Sequence, residues 1–124
     1  MGRYYHGDIE GKFWFAVQSS DDANNFGVEG THTYLDYYFT KEDDYQNVLK
    51  GLERCVNHLG KNQFEKIDKA FSEGGSLYEG YSDKSLSDEG ISEYQLVWYA
   101  RWLLGNKIKE CLDEQDDCQF SAEL

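Results

Sequence analysis

The sequence has no proline, one methionine and three cysteines in 124 residues. Without proline no helix is forced to kink, and folding carries no slow prolyl isomerisation. Cys55, Cys111 and Cys118 are odd in number and irregular in spacing, which argues against a secreted disulfide framework and fits reduced thiols in a cytosol. Positive charge is scarce too, with 12 Lys and Arg against 24 Asp and Glu, a net charge of −12. That field repels phosphate backbones and anionic lipid surfaces, so neither nucleic acid nor a membrane is an expected partner, whereas a cationic protein is. No apolar run approaches the roughly 18 residues of a membrane span, and no basic start followed by an apolar stretch marks a signal peptide. The expectation is a soluble, cytoplasmic protein. Gly74, Gly75 and Gly80 lack the following Lys-Ser/Thr of a phosphate cradle. No cofactor is implied, and no pattern names a reaction.

What the sequence does have is aromatic mass. Seven Phe, ten Tyr and three Trp supply the buried area of a folded chain, and the length suits one domain. Alternation predicts three strands in the first forty residues: 3–10, with Tyr4, His6, Asp8 and Glu10 on one face; 12–18, with Phe13, Phe15 and Val17 opposite Trp14; and 31–39, with Leu35, Tyr37 and Phe39 opposite His32, Tyr34, Asp36 and Tyr38. The turn-rich stretch 19–26 has room for one short helical turn. Thr40, with Asp43 three residues on, starts a helix whose apolar positions run from Tyr45 through Val48, Leu52, Cys55 and Val56 to Leu59 before Gly60. A second helix spans about 61–72, and 76–83 is a polar loop. A third helix begins near Ser87 or Ser92, the latter with Gln95 in a capping box. Cys118, Phe120, Ala122 and Leu124 alternate as a last strand that returns to the sheet. The expected fold is α+β, ordered β-β-β-α-α-α-β, with a small, mostly antiparallel sheet covered on one face by three helices. Its core is Phe13, Phe15, Val17, Leu35, Phe39, Leu49, Leu52, Val56, Phe64, Ile67, Leu96, Leu103, Leu104, Ile108 and Phe120.

Two surfaces stand out as partner-binding. The uncovered sheet face would carry Tyr4, Trp14, Tyr34, Asp36 and Tyr38, residue types that give contact area at little rotamer cost. The charge balance of residues 1–40, 41–72 and 73–124 is −4, 0 and −8, so the acids Asp113, Glu114, Asp116 and Asp117 were the natural place for electrostatic steering. The same aromatic face would serve a small anion or nucleotide, or a second copy of the chain. His6, Asp8, His32 and Asp36 offer imidazole and carboxylate ligands to a metal-dependent hydrolase, although same-face neighbours on one strand stand about 7 Å apart. Solvated surface is the commoner meaning of that pattern. Cys55, Cys111 and Cys118 fall at apolar positions and read as buried structural thiols.

The segment Ser85 to Tyr99, with Gly90-Ile91-Ser92 at its turn, resembles a helix-turn-helix unit over 15 of 124 residues. The resemblance implies DNA binding, yet Glu89 stands where the family has an apolar residue, and phosphate contacts would rest on Lys84, Arg101 and Lys107. A helical corner is the plainer meaning. The opening Met1 to Phe15, GRYYHGDIEGKFWF after the Met, is similar to small proteins of phages and large DNA viruses, a group that brings no known chemistry. That resemblance implies a host-directed inhibitor in the host cytoplasm. Taken with the charge, the expected function is non-enzymatic: binding of a cationic protein at its nucleic-acid site.

Overall fold

Thr40 shows how the sequence starts its first helix. Its hydroxyl accepts the Asp43 N–H at 3.2 Å, while its own N–H donates to Asp44 Oδ2 at 2.9 Å, so the reciprocal carboxylate is Asp44, one residue beyond the expected Asp43. The chain is described by a computed structural model over residues 3–14, 20–28 and 35–122. Strands β1 (Tyr4–Gly7) and β2 (Gly11–Lys12) precede a 3-10 turn, Asp22–Phe26, and strand β3 (Leu35–Thr40). Helices α1 (Lys41–Leu59), α2 (Lys61–Phe71), α3 (Asp83–Asp88) and α4 (Glu93–Gln115) follow, and then strand β4 (Asp117–Ala122). The order matches the expected one with one short helix, α3, added between the expected loop at 76–83 and the corner at 90–92. Ser82 explains it: its side chain accepts from Ser85 N–H, and Ser85 bonds back to the Ser82 N–H.

The four strands form an antiparallel sheet in the order β2-β1-β4-β3. The last strand therefore lies between β1 and β3, with Tyr5 facing Ala122 and Tyr37 facing Phe120 across the ladders. Alternation holds on all three long strands. Tyr5, Tyr37, Phe39, Cys118, Phe120 and Ala122 are buried under the helices, while Tyr4, His6, Asp36, Tyr38 and Gln119 face outward. The inner rings stack: Tyr37 on Phe120 at 5.3 Å and Phe39 on Phe120 at 6.2 Å between centroids.

Some expectations need correcting. The first strand is four residues, not eight, because the chain bends at Asp8 and Ile9 turns into the core. In β2 only Gly11 and Lys12 pair before the bend, so alternation fails at Trp14. Trp14 is half-buried beside Tyr5, with ring centroids 5.8 Å apart, on the helix side of the sheet and not on the outer face. Leu49 and Val56 are half-buried, because the inward positions of α1 are Val48, Leu52 and Cys55. Phe15, Val17, His32, Tyr34 and Leu124 lie outside the described residues.

The seam between α1 and α4, the most extensive contact between elements, is set by a residue from neither helix. Phe26, fully buried at the end of the 3-10 turn, drives its ring between Gly51 of α1 and Gly105 of α4. A Cβ on Gly51 would stand 2.5 Å from the ring, and one on Gly105 would be closer still. Mid-helix glycine costs about 1 kcal/mol against alanine; here both glycines make the seat for an aromatic ring. Asp22, at the start of the same turn and 1% exposed, is paired with Arg101 of α4 at 3.2 Å, which keeps its carboxylate from being a lone buried charge. Arg101 also sits 4.6 Å over the Trp98 ring.

Candidate functional site

Between α3 and α4 the chain turns a corner. Leu86 N–H bonds to the Ser82 carbonyl, Ile91 N–H to the Leu86 carbonyl at 2.9 Å, and Gly90 takes φ +74°, a value that favours glycine. Ser92 then caps α4, accepting from Gln95 N–H at 3.2 Å while its own N–H donates to Gln95 Oε1 at 3.0 Å. These local bonds hold Leu86, Ile91 and Leu96 together as the apolar floor of a groove of about 560 Å³. Tyr81, Asp83 and Glu93 form part of its wall. Tyr81 is anchored edge-on against Phe71 at 5.9 Å yet remains 43% exposed. Its hydroxyl pKa is raised by burial and by the nearby Asp83, so it stays a neutral hydrogen-bond donor. Tyr78 and Tyr94 are also more than half exposed but do not line the groove, and the Tyr94 hydroxyl lies 3.2 Å from His58 Nδ1 of α1.

Acids outnumber bases in the segment that builds the groove. Residues 73–93 contain six acids, Glu73, Glu79, Asp83, Asp88, Glu89 and Glu93, and one base, Lys84. Among the described residues none of the six makes an ion pair. Glu89 accepts from Ser76 Oγ at 2.9 Å, and Lys66 of α2 brings its Nζ near Gly90. The groove is therefore an apolar trough with an acidic surround. The sequence carries its signal in the Ser-capped corner and the local charge, and the helix-turn-helix resemblance marks the same corner. The would-be phosphate contacts are committed elsewhere: Arg101 to Asp22, and Lys107 to Glu110 at 3.8 Å.

The C-terminal acids do not make one patch. Asp113 is bonded to Lys109 at 2.9 Å, and that bond lowers its pKa. Glu114 lines a cleft beside Trp14. Asp116 caps α4 with φ +67° and gives its carbonyl to Lys41 N–H, and Asp117 starts β4 half-buried.

On the outer sheet face, Tyr4 (45% exposed) and Tyr38 (53%) flank a row in which His6 and Asp36 lie on either side of Ser121. Two strand spacings, about 10 Å of backbone, separate His6 from Asp36, too far for one ion. Asp8 lines the same cleft as His6 and Asp36, yet its Oδ2 accepts Gln119 N–H at 2.8 Å and its carboxylate lies within 4.8 Å of two thiols. The expected His6, Asp8, Asp36 grouping is thus not assembled, and His32 lies outside the described residues. Cys55 and Cys118 are buried as expected, with burial pushing the Cys55 thiol up to about 12, whereas Cys111 is half-buried. No family model, curated protein or solved structure matches the chain.

Proposed function

We propose that the protein is a non-enzymatic binder of a basic protein segment, and that the corner groove between α3 and α4 is where the segment docks. The observation that carries this is an apolar trough walled by Tyr81, Asp83 and Glu93, two acids that make no ion pair among the described residues, in a segment that holds six acids and one base. An amphipathic helix or extended strand with Leu-like anchors in the trough and Arg or Lys on its flanks would match both features. The acids speed encounter; the apolar floor and tyrosines hold the complex. A nucleic-acid-binding protein is the partner class whose surface carries such basic segments, and a host-directed inhibitor would occupy it by this contact. A small anion on the tyrosine-bearing sheet face is the weaker alternative, since Asp8 and Asp36 line the cleft beside His6 and repel negative charge.

The test is a titration of isotope-labelled protein with an amphipathic Arg/Leu peptide, with a Glu/Leu peptide of the same pattern as control. Amide shifts should concentrate at Leu86, Ile91, Leu96 and Tyr81, and the association rate should fall steeply between low and physiological salt. Equal response to both peptides, or shifts on the sheet face instead, would refute the assignment.

A further inference from the structure

Away from that groove, where β1, the end of α4 and β4 meet, three side chains from distant parts of the sequence converge. The Asp8 carboxylate and the thiols of Cys111 and Cys118 place their ligand atoms all within 4.8 Å of one another. The convergence follows from topology. Cys111 lies in the last turns of α4, the chain reverses at Asp116, and Cys118 enters the sheet next to β1, whose continuation bonds back to β4 through Asp8 N–H to the Gln119 carbonyl at 2.7 Å.

We infer that Asp8, Cys111 and Cys118 form a binding site for a thiophilic divalent cation of the zinc type. Two thiolates and a carboxylate are a donor set that favours zinc over magnesium or calcium, which seek oxygen alone. With zinc–sulfur bonds of about 2.3 Å in a tetrahedron, two sulfurs stand about 3.8 Å apart, so the existing spacing closes on an ion by side-chain rotation of about 1 Å. The carboxylate is already aimed. Asp8 Oδ2 is held by Gln119 N–H at 2.8 Å, which leaves Oδ1 to a ligand, the outer-shell bond that orients metal-binding carboxylates. Cys111 has its sulfur within 3.2 Å of the Asp117 carbonyl, to which the thiol donates in the metal-free form.

The site also has an entrance. A cleft of about 340 Å³ opens over Asp8 and Cys111, and its other walls include Glu10, Glu110 and Glu114. Lys107, 3.8 Å from Glu110, is the one base in that wall, so a cation reaching Cys111 meets more carboxylate than ammonium there. Cys118, fully buried, closes the site from below. Binding releases the two thiol protons to solvent and leaves two sulfur–metal bonds and one oxygen–metal bond, with no change in oxidation state.

Cobalt(II) is the probe that tests this, because thiolate coordination gives it a charge-transfer absorption that carboxylate coordination does not. The reduced full-length protein titrated with cobalt should develop that band with one ion per chain, and one equivalent of zinc should abolish it. Asp8→Asn, at an exposed position, should weaken cobalt binding about 10-fold or more, and Cys111→Ser should remove the band, while Cys55→Ser keeps it. Circular dichroism checks that each variant is folded; if Cys111→Ser is not, Asp8→Asn decides. A wild-type protein with no thiolate–cobalt band, or an Asp8→Asn variant that binds cobalt as tightly as the wild type, would overturn the assignment.

Discussion

The α1–α4 seam and the α3–α4 corner share a helix and differ in every other respect. At the seam, Phe26 fills the space that Gly51 and Gly105 leave, and a single added carbon collides with its ring. At the corner, Leu86, Ile91 and Leu96 stop short of filling their space and leave a trough of about 560 Å³. Burial is complete in one and charge is unspent in the other. The contrast separates where the fold draws stability from where it offers a surface, and it predicts that substitutions at the two places will be read by different experiments.

The largest effect belongs to the ring itself. Phe26→Ala should destabilise the protein by about 3–5 kcal/mol, as a shift of the urea midpoint at unchanged slope, because two helix backbones cannot close on the void. Gly105→Ala should follow with about 1–3 kcal/mol from overpacking, against the usual gain from replacing a helical glycine. A stabilised Gly105→Ala would break the comparison, since it would mean the seam has slack. At the corner the readout moves to binding. The double variant Asp83→Asn, Glu93→Gln should weaken the Arg/Leu peptide about 10-fold and flatten its salt dependence, at a stability cost below about 1 kcal/mol from the two helix starts. The matched pair Asp113→Asn, Glu114→Gln should leave peptide affinity within about 2-fold, because Asp113 is already neutralised by Lys109. Least of all, Asp116→Asn should stabilise by about 0.5 kcal/mol, removing a negative charge from a helix C-terminus at a left-handed position that Asn tolerates.

Local chemistry explains which parts of this were legible beforehand. Thr40, Gly60 and Ser92 announce helix boundaries through bonds to residues three or four away, and the alternation of Cys118, Phe120 and Ala122 shows a strand with one buried face. The short helical turn expected before Phe26 is present as Asp22–Phe26. What stayed hidden depends on partners far along the chain. Trp14 followed the alternation until β2 stopped after two paired residues, and no local pattern marks where pairing ends. The glycines at 51 and 105 carry no local signal; their spacing has no meaning until Phe26 is placed between them. Asp8 was grouped with His6 on a strand face, whereas the register of β1 against β4 carries it to thiols more than a hundred residues away. The acids were counted along the sequence, and counting does not show that lysines at helical spacing cancel some of them while the corner acids form no ion pair among the described residues.

The position of β4 has a kinetic consequence. β1 and β3 do not pair with each other; each pairs with β4, and β4 comes after all four helices. Until residues 117–122 are in place β3 has no strand to register against and β1 has only its hairpin partner β2, so the two parts of the sheet stay apart while α1 and α4 form from contacts nearer in sequence. Folding should therefore be helix-first and sheet-last, with the insertion of one strand both zipping two ladders and bringing Cys118 beside Cys111 and Asp8. A slowed or missing β4 would leave two unpaired edges exposed at once, the state in which such a chain is most prone to pair with its neighbours.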